Sequence, residues 1–426
     1  MSETMQLIRA LNDGSLMEQL TWLYGSRNGE LVSQTNRCKT LLSKHEKHFG
    51  ADRPVWLISA PGRAEIGGNH TDHNRGRVLA ASVSMDTLAA VSPREDRVVQ
   101  VRSEGYAPMT LTLDSLEPRP EEEGTTAALI RGVAQGMAER GFAIGGFDAV
   151  VHSTVASGSG LSSSAAFEVL VSAIFDQLFN RFDMDFVTRA KISQYAENVH
   201  FGKPSGLLDQ MASAAGGLVA VDFAREEPEV RRLSFDFAAR GYALAVVATG
   251  GSHADLTADY AAIPAEMKQV AACLGEEVLR RVRPEEFQAA LPTLRGKVSD
   301  RALLRAMHFF AENDRVLTQV EALDREDMPA FLEAIIASGR SSYMYLQNVW
   351  ASPAEQGLAL ALALAEEMLA GKGAWRVHGG GFAGTTLNFV PLELLDGFVS
   401  RMDSVFGQGA CRVLNIRPVG AWVMRV

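Results

Sequence analysis

Short apolar runs alternate with longer amphipathic stretches along the chain, a pattern that predicts a mixture of strands and helices. Residues 1–50 have helical periodicity interrupted by polar breaks. Four predicted strands follow, in VWLISAPGR, VLAASVSMDTLAAVSP, VVQVRS and MTLTLDSL. The first of them is expected to end at a turn at Pro61-Gly62. The last two alternate apolar and polar residues, as half-buried antiparallel strands do.

The chain changes character near residue 225. Before it, a helix at about 125–140 leads to the strand FDAVVHSTV, the helix AKISQYAENVHFG and the strand GLVAVDF. After it come the polar EEPEV, the strand GYALAVVAT and long helical stretches between 258 and 370. The last part reads strand, helix, strand. We therefore predict an α+β protein of two domains with a boundary near 225–240.

Composition narrows the function to small ligands. The chain has 426 residues, 47% of them hydrophobic, and a formal charge of −10, which argues against nucleic acid or an anionic membrane surface as the partner. Three cysteines lie far apart, as expected in a reducing compartment without disulfides. The first 25 residues lack a secretory pattern, so a cytoplasmic location is predicted. LALALALA at 358–365 is too short to span a membrane and predicts a helix packed on a sheet.

The stretch SGSGLSSS at 157–164 stands directly before the apolar helix AAFEVLVSAIF. Gly158 and Gly160 allow the backbone to approach a ligand, and the helix start near Ser163 favours an anion, above all phosphate. The stretch matches neither a Walker loop nor a dinucleotide fingerprint. Its serine hydroxyls could cap the helix, bind phosphate or ligate Mg²⁺. The alternative is a flexible loop with a good N-cap.

A second polar segment, PGRAEIGGNHTDHNRG at 61–76, follows an apolar strand, where functional groups are often displayed. It contains Arg63, Glu65, His70, Asp72 and His73. A zinc site built from the two histidines lacks a third ligand, and a solvated turn is the other alternative. KHEKH at 44–48 repeats the histidine spacing, and there an exposed helix face is the better interpretation.

Two further segments carry candidate chemistry. In GKPSGLLDQMASAAGG at 202–217, Asp209 is placed among apolar and small residues, where a carboxylate must be paired. The alternative is an N-cap for the helix LDQMASAA. HGGGFAGTT at 378–386 is a small-residue loop between strand and helix material, for which a tight turn is the alternative.

Taken in order, these segments resemble the GHMP small-molecule kinases and, within that family, the galactokinases. The resemblance runs from about residue 40 to the end of the chain. It includes HADLTADYAAIPAEM at 253–267, which matches the stretch that carries a sugar-contacting tyrosine. It implies an N-terminal α/β domain with a mixed sheet, a C-terminal ferredoxin-like α+β sandwich and an active site between them. The predicted division is an N-terminal helical extension at 1–50, then domains at 51–230 and 231–426.

The resemblance also implies ATP-dependent phosphorylation of a sugar at C1, with Mg²⁺ as the metal. Monomers or weak homo-oligomers are expected, without nucleic acid or membrane partners. Asp209 is the implied catalytic group facing the C1 hydroxyl, with Arg63 beside it. The implied phosphate contacts are Gly158, Ser159, Gly160, Leu161, Ser162, Ser163 and Ser164. The implied Mg²⁺ ligands are Ser164 and Glu197, and the implied sugar contacts are Asn69, His70, Thr71, Asp72, Gly206 and Tyr260.

This sequence departs from the family pattern at three places. Asn69 stands where the family usually has Glu, which predicts weaker discrimination at the far end of the sugar. Thr126 and Leu129 replace the usual Trp and Tyr near adenine, and the chain carries an N-terminal extension. One alternative is a kinase of a related galacto-configured sugar that is C6-altered, N-acetylated or a uronate. Another is a non-catalytic sensor of sugar and ATP, against which the intact SSSAA run argues.

Overall fold

The structure is a computed structural model that describes residues 3–26, 28–51, 53–155, 160–251, 256–350, 352–382 and 384–425. Its α-helices are α1 (Glu3–Asp13), α2 (Met17–Tyr24), α3 (Asn28–Phe49), α4 (Thr126–Glu139), α5 (Ser163–Phe179), α6 (Phe186–Tyr195), α7 (Leu208–Ala215), α8 (Thr257–Cys273), α9 (Pro284–Leu294), α10 (Asp300–Asp324), α11 (Met328–Ser341), α12 (Gly357–Leu369) and α13 (Leu395–Phe406). Its strands are β1 (Trp56–Gly67), β2 (Arg77–Pro93), β3 (Val98–Ser103), β4 (Met109–Thr112), β5 (Phe147–Ser153), β6 (Leu218–Asp222), β7 (Glu229–Leu233), β8 (Tyr242–Ala248), β9 (Ala374–His378), β10 (Thr385–Pro391), β11 (Cys411–Leu414) and β12 (Trp422–Met424). None of the helices in these ranges is long and apolar enough to cross a membrane.

The larger sheet is built around β1 and β2. Its strand order is β12-β1-β2-β5-β3-β4, and β6 pairs with β2 and β7 with β6. The β3–β5 pair is parallel and the other pairs are antiparallel, so the sheet is mixed as predicted. The length of β2 explains this branching, because β6 pairs with Arg77–Ala81 and β5 pairs with Thr87–Pro93.

The predicted turn at Pro61-Gly62 is wrong. β1 continues through both residues to Gly67, and its pairing with β2 shifts between Pro61 and Arg63. Proline has no N–H to give to a neighbouring strand, and a shift of register accommodates it inside a ladder. Arg63 and Glu65 lie in the part of β1 that follows this shift, paired with Ser82 and Ala80 of β2. The Pro61-Gly62 pair therefore marks a shift of register within β1 and not the end of the strand.

Helices cover both faces of the larger sheet. Helices α4 to α7 enclose one hydrophobic core with it, and α1 to α3 pack on the opposite face through residues such as Leu20 and Leu42. The predicted helical character of residues 1–50 is confirmed. The interpretation of KHEKH as an exposed face is wrong for His45, which is 1% exposed. Its ring contacts that of Phe49, with centroids 5.1 Å apart, and burial lowers the pKa of His45 to about 4.

The smaller sheet is antiparallel, with the order β11-β8-β10-β9. Numbered along the chain, these strands lie in the order 4-1-3-2, which confirms the ferredoxin-like sandwich. Helices α12 and α13 pack on one side of it. The LALALALA run forms most of α12, and the buried residues Leu358, Ala361, Ala365 and Leu369 form the stripe that packs against the sheet.

The larger sheet contains strands from both predicted domains. β7 pairs with β6 across residue 230, and β12 returns to pair with β1 through Ile58 and Val423. A further hydrophobic core, which includes Leu79 and Phe389, lies between the larger and the smaller sheet. The division at residue 230 stays a prediction, but residues from both predicted domains build the larger sheet. This arrangement brings the end of β1 against the β9–β10 loop.

Candidate active site

The centre of the candidate site is an ion pair between Arg63 on β1 and Asp209 in the first turn of α7. Arg63 Nε donates to Asp209 Oδ1 at 2.6 Å, and Arg63 Nη1 donates to the carbonyl of Gly160. The arginine side chain is 7% exposed and that of Asp209 is 33% exposed. Burial opposes a charge on Asp209, but the adjacent guanidinium and its hydrogen bond lower the pKa of Asp209 below its ordinary value. The site therefore holds an ionised, accessible carboxylate at neutral pH.

The start of α5 lies against the same carboxylate. Ser162, in the left-handed conformation with φ 60°, donates its hydroxyl to Asp209 Oδ2 and does not cap the helix. Gly160 has φ +70°, and a Cβ there would lie 2.4 Å from Thr385 Oγ1, so the chain needs glycine at this close approach. The predicted contacts Gly158 and Ser159 lie outside the described residues. Asp209 is not the N-cap of α7, which is Leu207.

The predicted metal ligands Ser164 and Glu197 are in contact. Ser164 Oγ donates to Glu197 Oε1 at 2.8 Å, and Gln210 Nε2 donates to Oε2 at 2.7 Å. Glu197 lies in a π-helical turn, Ala196–His200, and its side chain is 2% exposed. Mg²⁺ prefers hard oxygen ligands and few protein ligands. A hydroxyl and a carboxylate that already touch fit that preference, although the described residues contain no cluster of three His, Cys, Asp or Glu of metal-binding geometry.

A second carboxyl group, that of Glu168, lies behind Glu197. Gln210 Nε2 also donates to Glu168 Oε2 at 3.1 Å, so one amide bridges the two acids. Burial, reinforced by the charge of Glu197, raises the pKa of Glu168 well above its ordinary value. This environment favours the neutral form of the Glu168 carboxyl group.

Two of the predicted sugar contacts, Asn69 and Thr71, are fully buried and bonded to protein groups. Asn69 Nδ2 donates to Glu65 Oε1 at 2.8 Å and to the carbonyl of Gly379 at 2.7 Å. Its Oδ1 accepts from Asn348 at 2.8 Å. The Thr71 hydroxyl lies within hydrogen-bonding distance of two backbone carbonyls. Direct sugar contact by either residue stays a prediction. Their hydrogen bonds to protein groups stabilise the conformation of the segment between β1 and β2.

The remaining predicted sugar residues lie against the β9–β10 loop or in the contact between Asp72 and the segment before α7. His70 Nε2 lies 3.1 Å from the carbonyl of Gly380, and the Tyr260 hydroxyl donates to the carbonyl of Gly381 at 3.0 Å. Asp72 packs against Gly206 so tightly that a Cβ at Gly206 would lie 1.8 Å from Asp72 Oδ2. Burial, with the neighbouring His73, lowers the pKa of His70 to about 3, so the imidazole is neutral.

Sequence reasoning missed the partners that fix these groups. Arg376 Nη2 donates to Glu65 Oε1 at 2.7 Å, and the Glu65 N–H donates to His378 Nε2 at 3.0 Å. Burial raises the pKa of Glu65 to about 7 in spite of the Arg376 charge. One signal was available, since Glu65 and Arg63 share one face of a strand. The partners on β9 are more than 300 residues distant in sequence, and no local pattern identifies them.

Two segments that contain residues of this site match models of known protein families. Residues 43–93 match the galactokinase galactose-binding signature, and residues 128–217 match the N-terminal domain of GHMP kinases. The chain is 32% identical to the galactokinase of Streptomyces coelicolor, over 89% of this chain and 96% of that protein. It is also 32% identical to the Homo sapiens galactokinase, over 93% of this chain and 97% of the other.

A crystal structure of Lactococcus lactis galactokinase complexed with galactose superposes with a TM-score of 0.78. It covers 89% of this chain and 98% of its own, at 24% identity. A mevalonate kinase structure superposes with a TM-score of 0.59 at 13% identity. The domain match and the two relatives identify the chain as a GHMP kinase, an enzyme of the sugar phosphotransferase class. Given the extent of identity to the curated relatives, the chain belongs to the galactokinase family.

Proposed function

We propose that this protein transfers the terminal phosphoryl group of ATP to the C1 hydroxyl of galactose, with Mg²⁺ bound by Ser164 and Glu197. The observation that carries the proposal is the ionised Asp209, which pairs with Arg63, is partly exposed and lies beside the start of α5. Phosphoryl transfer depends mainly on positioning and on charge neutralisation. Arg63 and the positive end of the α5 dipole are protein groups next to Asp209 that can position the phosphates and neutralise their charge.

Asp209 is the group assigned to the acceptor hydroxyl. Its Oδ1 and Oδ2 are fixed by Arg63 and Ser162, so its orientation is set before a substrate arrives. An ionised carboxylate accepts a hydrogen bond from the hydroxyl and, as the C1 oxygen bonds to phosphorus and the bond to ADP breaks, takes or directs the released proton. Bound Mg²⁺ neutralises phosphate charge in this class of reaction.

For the sugar, the structure favours contacts from His70, Asp72 and Tyr260. The neutral imidazole and the phenol offer a donor or an acceptor, and the Asp72 carboxylate offers acceptors. Gly206 leaves room beside Asp72 that any larger residue would fill. Asn69 and Thr71 act through the shape of the segment that presents His70 and Asp72.

A panel of free sugars tests the proposal. Galactose, 6-deoxygalactose, galacturonate and N-acetylgalactosamine are incubated with ATP and Mg²⁺, and phosphorus NMR identifies the phosphorylated carbon. We expect galactose 1-phosphate as the main product. Binding of ATP and sugar without product would establish the sensor instead. A clear preference for an altered sugar would keep the reaction and replace the substrate.

A further inference from the structure

Lys203 places an ammonium group directly on the candidate metal ligand Glu197. Its Nζ donates to Glu197 Oε1 at 2.8 Å, the oxygen that also accepts from Ser164 Oγ. The Lys203 N–H donates to the Glu197 carbonyl at 3.1 Å, so the loop folds back on the residue that its side chain reaches. The lysine side chain is 58% exposed and that of Glu197 is 2% exposed. The ammonium therefore meets a buried carboxylate from the solvent side.

This ammonium influences both carboxylates of the proposed reaction. Burial of its stem disfavours the charge, but Glu197 and, further away, Asp209 raise the pKa of Lys203 above its ordinary value. In the opposite direction, Lys203 contributes to the lowered pKa of Asp209. The ammonium thus contacts a candidate metal ligand, and its charge also acts on the carboxylate that is proposed to face the acceptor hydroxyl.

A divalent cation and Lys203 compete for the same oxygen. Each carboxylate oxygen has about two acceptor sites, and Ser164 and Lys203 occupy those of Glu197 Oε1. Mg²⁺ held by Ser164 and Glu197 would need the acceptor site on Glu197 Oε1 that the ammonium now occupies. The lysine is the partner free to move, because its long side chain is mostly exposed while Ser164 is fixed on α5.

We propose that Lys203 is a further cationic group of the phosphoryl-transfer site, which releases Glu197 when a divalent cation binds there and then binds a phosphate oxygen of the nucleotide. This inference rests on the proposed kinase function and on Glu197 as metal ligand. Lysine binds phosphate as a point charge without demanding a fixed geometry, which suits a side chain that changes partner. No covalent bond to Lys203 is involved.

Lys203→Met tests the exchange because it should move two affinities in opposite directions. Mn²⁺ binding to the full chain without nucleotide, measured by EPR of the free ion, should become roughly tenfold tighter, since a charge close to the metal is removed in a solvent-accessible place. Binding of a non-hydrolysable ATP analogue at saturating Mg²⁺, measured by calorimetry, should become about fivefold weaker. A purely structural lysine would weaken both. A Mn²⁺ affinity that does not rise, or a nucleotide affinity that does not fall, overturns the proposal.

Two controls isolate the charge. Lys203→Arg keeps it and should leave both affinities within about twofold of wild type. Lys191→Met removes a lysine from an ion pair with an exposed carboxylate, Nζ to Glu227 Oε1 at 2.6 Å, away from the site, and should change neither affinity. Glu197→Gln separates the two levels of the argument. If Glu197→Gln leaves Mn²⁺ binding intact, the proposed metal site is wrong. If Glu197→Gln weakens Mn²⁺ binding but Lys203→Met does not change it, the metal site stands and only the role of Lys203 is refuted.

Discussion

Two arginine-paired aspartates, one on each face of the larger sheet, are used in different ways. Asp209 pairs with Arg63 and keeps a third of its side chain exposed. Asp86 on β2 pairs with Arg37 of α3 at 2.5 Å and with Arg417 at 3.3 Å, and it is fully buried. The pKa of each aspartate lies below its ordinary value although burial opposes it.

The partners of Asp86 explain what its pair does. Besides the two arginines, it accepts from the hydroxyl of Tyr24 on α2 at 2.7 Å and from that of Ser59 on β1. These groups belong to the N-terminal helices, to β1 and to the segment after β11. The Asp86 network therefore fastens the N-terminal extension to the body of the protein. An ionised buried aspartate alone does not mark an active site, whereas a carboxylate open to a ligand does.

The largest expected effect is on turnover. Asp209→Asn keeps the shape but removes the charge that faces the acceptor hydroxyl, so kcat should fall roughly 10³-fold or more while the fold and ATP binding are kept. Asp222→Asn is the control and should keep kcat near that of wild type, because Asp222 is likewise a partly exposed aspartate paired with arginine, here Arg77 and Arg280 at 2.8 and 2.7 Å. Near-normal turnover in folded Asp209→Asn would remove Asp209 from the mechanism.

For Asp86 the expected effect is on stability. Asp86→Asn leaves two buried arginines without their counter-charge and should lower the free energy of unfolding by about 3–5 kcal/mol, measured by urea titration at pH 7. Turnover per folded molecule should stay normal. Asp324→Asn, which breaks the exposed pair with Arg231, should cost less than about 1 kcal/mol. Equal effects of the two variants would contradict the fastening role.

The pH dependence of that loss follows from the lowered pKa. A carboxylate whose folded pKa is depressed stabilises the protein above its unfolded pKa, which is about 3.9, and loses that contribution as pH falls through the folded value. The difference between wild type and Asp86→Asn should therefore be complete at pH 7 and shrink below about pH 4. A difference that grows in acid would have the wrong sign for an ionised Asp86.

A smaller loss of stability is expected when the contact between Glu65 and Asn69 is changed. Asn69→Glu would place a second carboxylate against Glu65 Oε1, now 2.8 Å from the amide nitrogen, and should destabilise the protein by roughly 2–3 kcal/mol. The exchange Glu65→Asn with Asn69→Glu keeps one acid and one amide and should recover most of the loss. A double-mutant cycle in urea measures this coupling, and additive losses would show that the two side chains act independently.

The same exchange also tests the expectation for the sugar. If the residue at position 69 influences the far end of the sugar, the paired exchange should change the ratio of kcat/KM for galactose and 6-deoxygalactose by about fivefold. An unchanged ratio would assign Asn69 to the protein network alone.

The smallest effect is expected at Ser164. Ser164→Ala removes a hard oxygen beside Glu197 and should raise the Mg²⁺ concentration for half-maximal activity several-fold, with little change in the KM for ATP at saturating Mg²⁺. Initial rates across a Mg²⁺ titration measure it. An unchanged titration curve would leave Glu197 without its predicted partner.

Local patterns predicted the elements well and their irregularities poorly. Helical periodicity and the Leu/Ala run of α12 identified helices, because the buried face of a helix recurs every three or four residues along the sequence. Pro61 was misjudged because a turn signal and a strand irregularity look alike until the partner strand is known. His45 was misjudged because its burial depends on tertiary packing on Phe49 and on the sheet.

In the site, residues in dense motifs were found and their partners were not. Arg63, Asp209, Ser164 and Glu197 are brought together as two contacting pairs. Lys203 was overlooked because a lysine in a glycine-proline loop resembles any solvated residue, and only the fold shows Glu197 beneath it.

The pairing of β12 with β1 has a consequence for the order in which the chain folds. Ile58 pairs with Val423, so this edge of β1 has no partner strand until more than 360 further residues have been synthesised. Such a contact closes a very long loop, which slows folding and leaves a strand edge unpaired meanwhile. The helices α1 to α3, which precede β1 in the chain, cover one face of this sheet but do not cover that edge. Until β12 emerges, this edge of β1 can therefore pair with the strand of another chain.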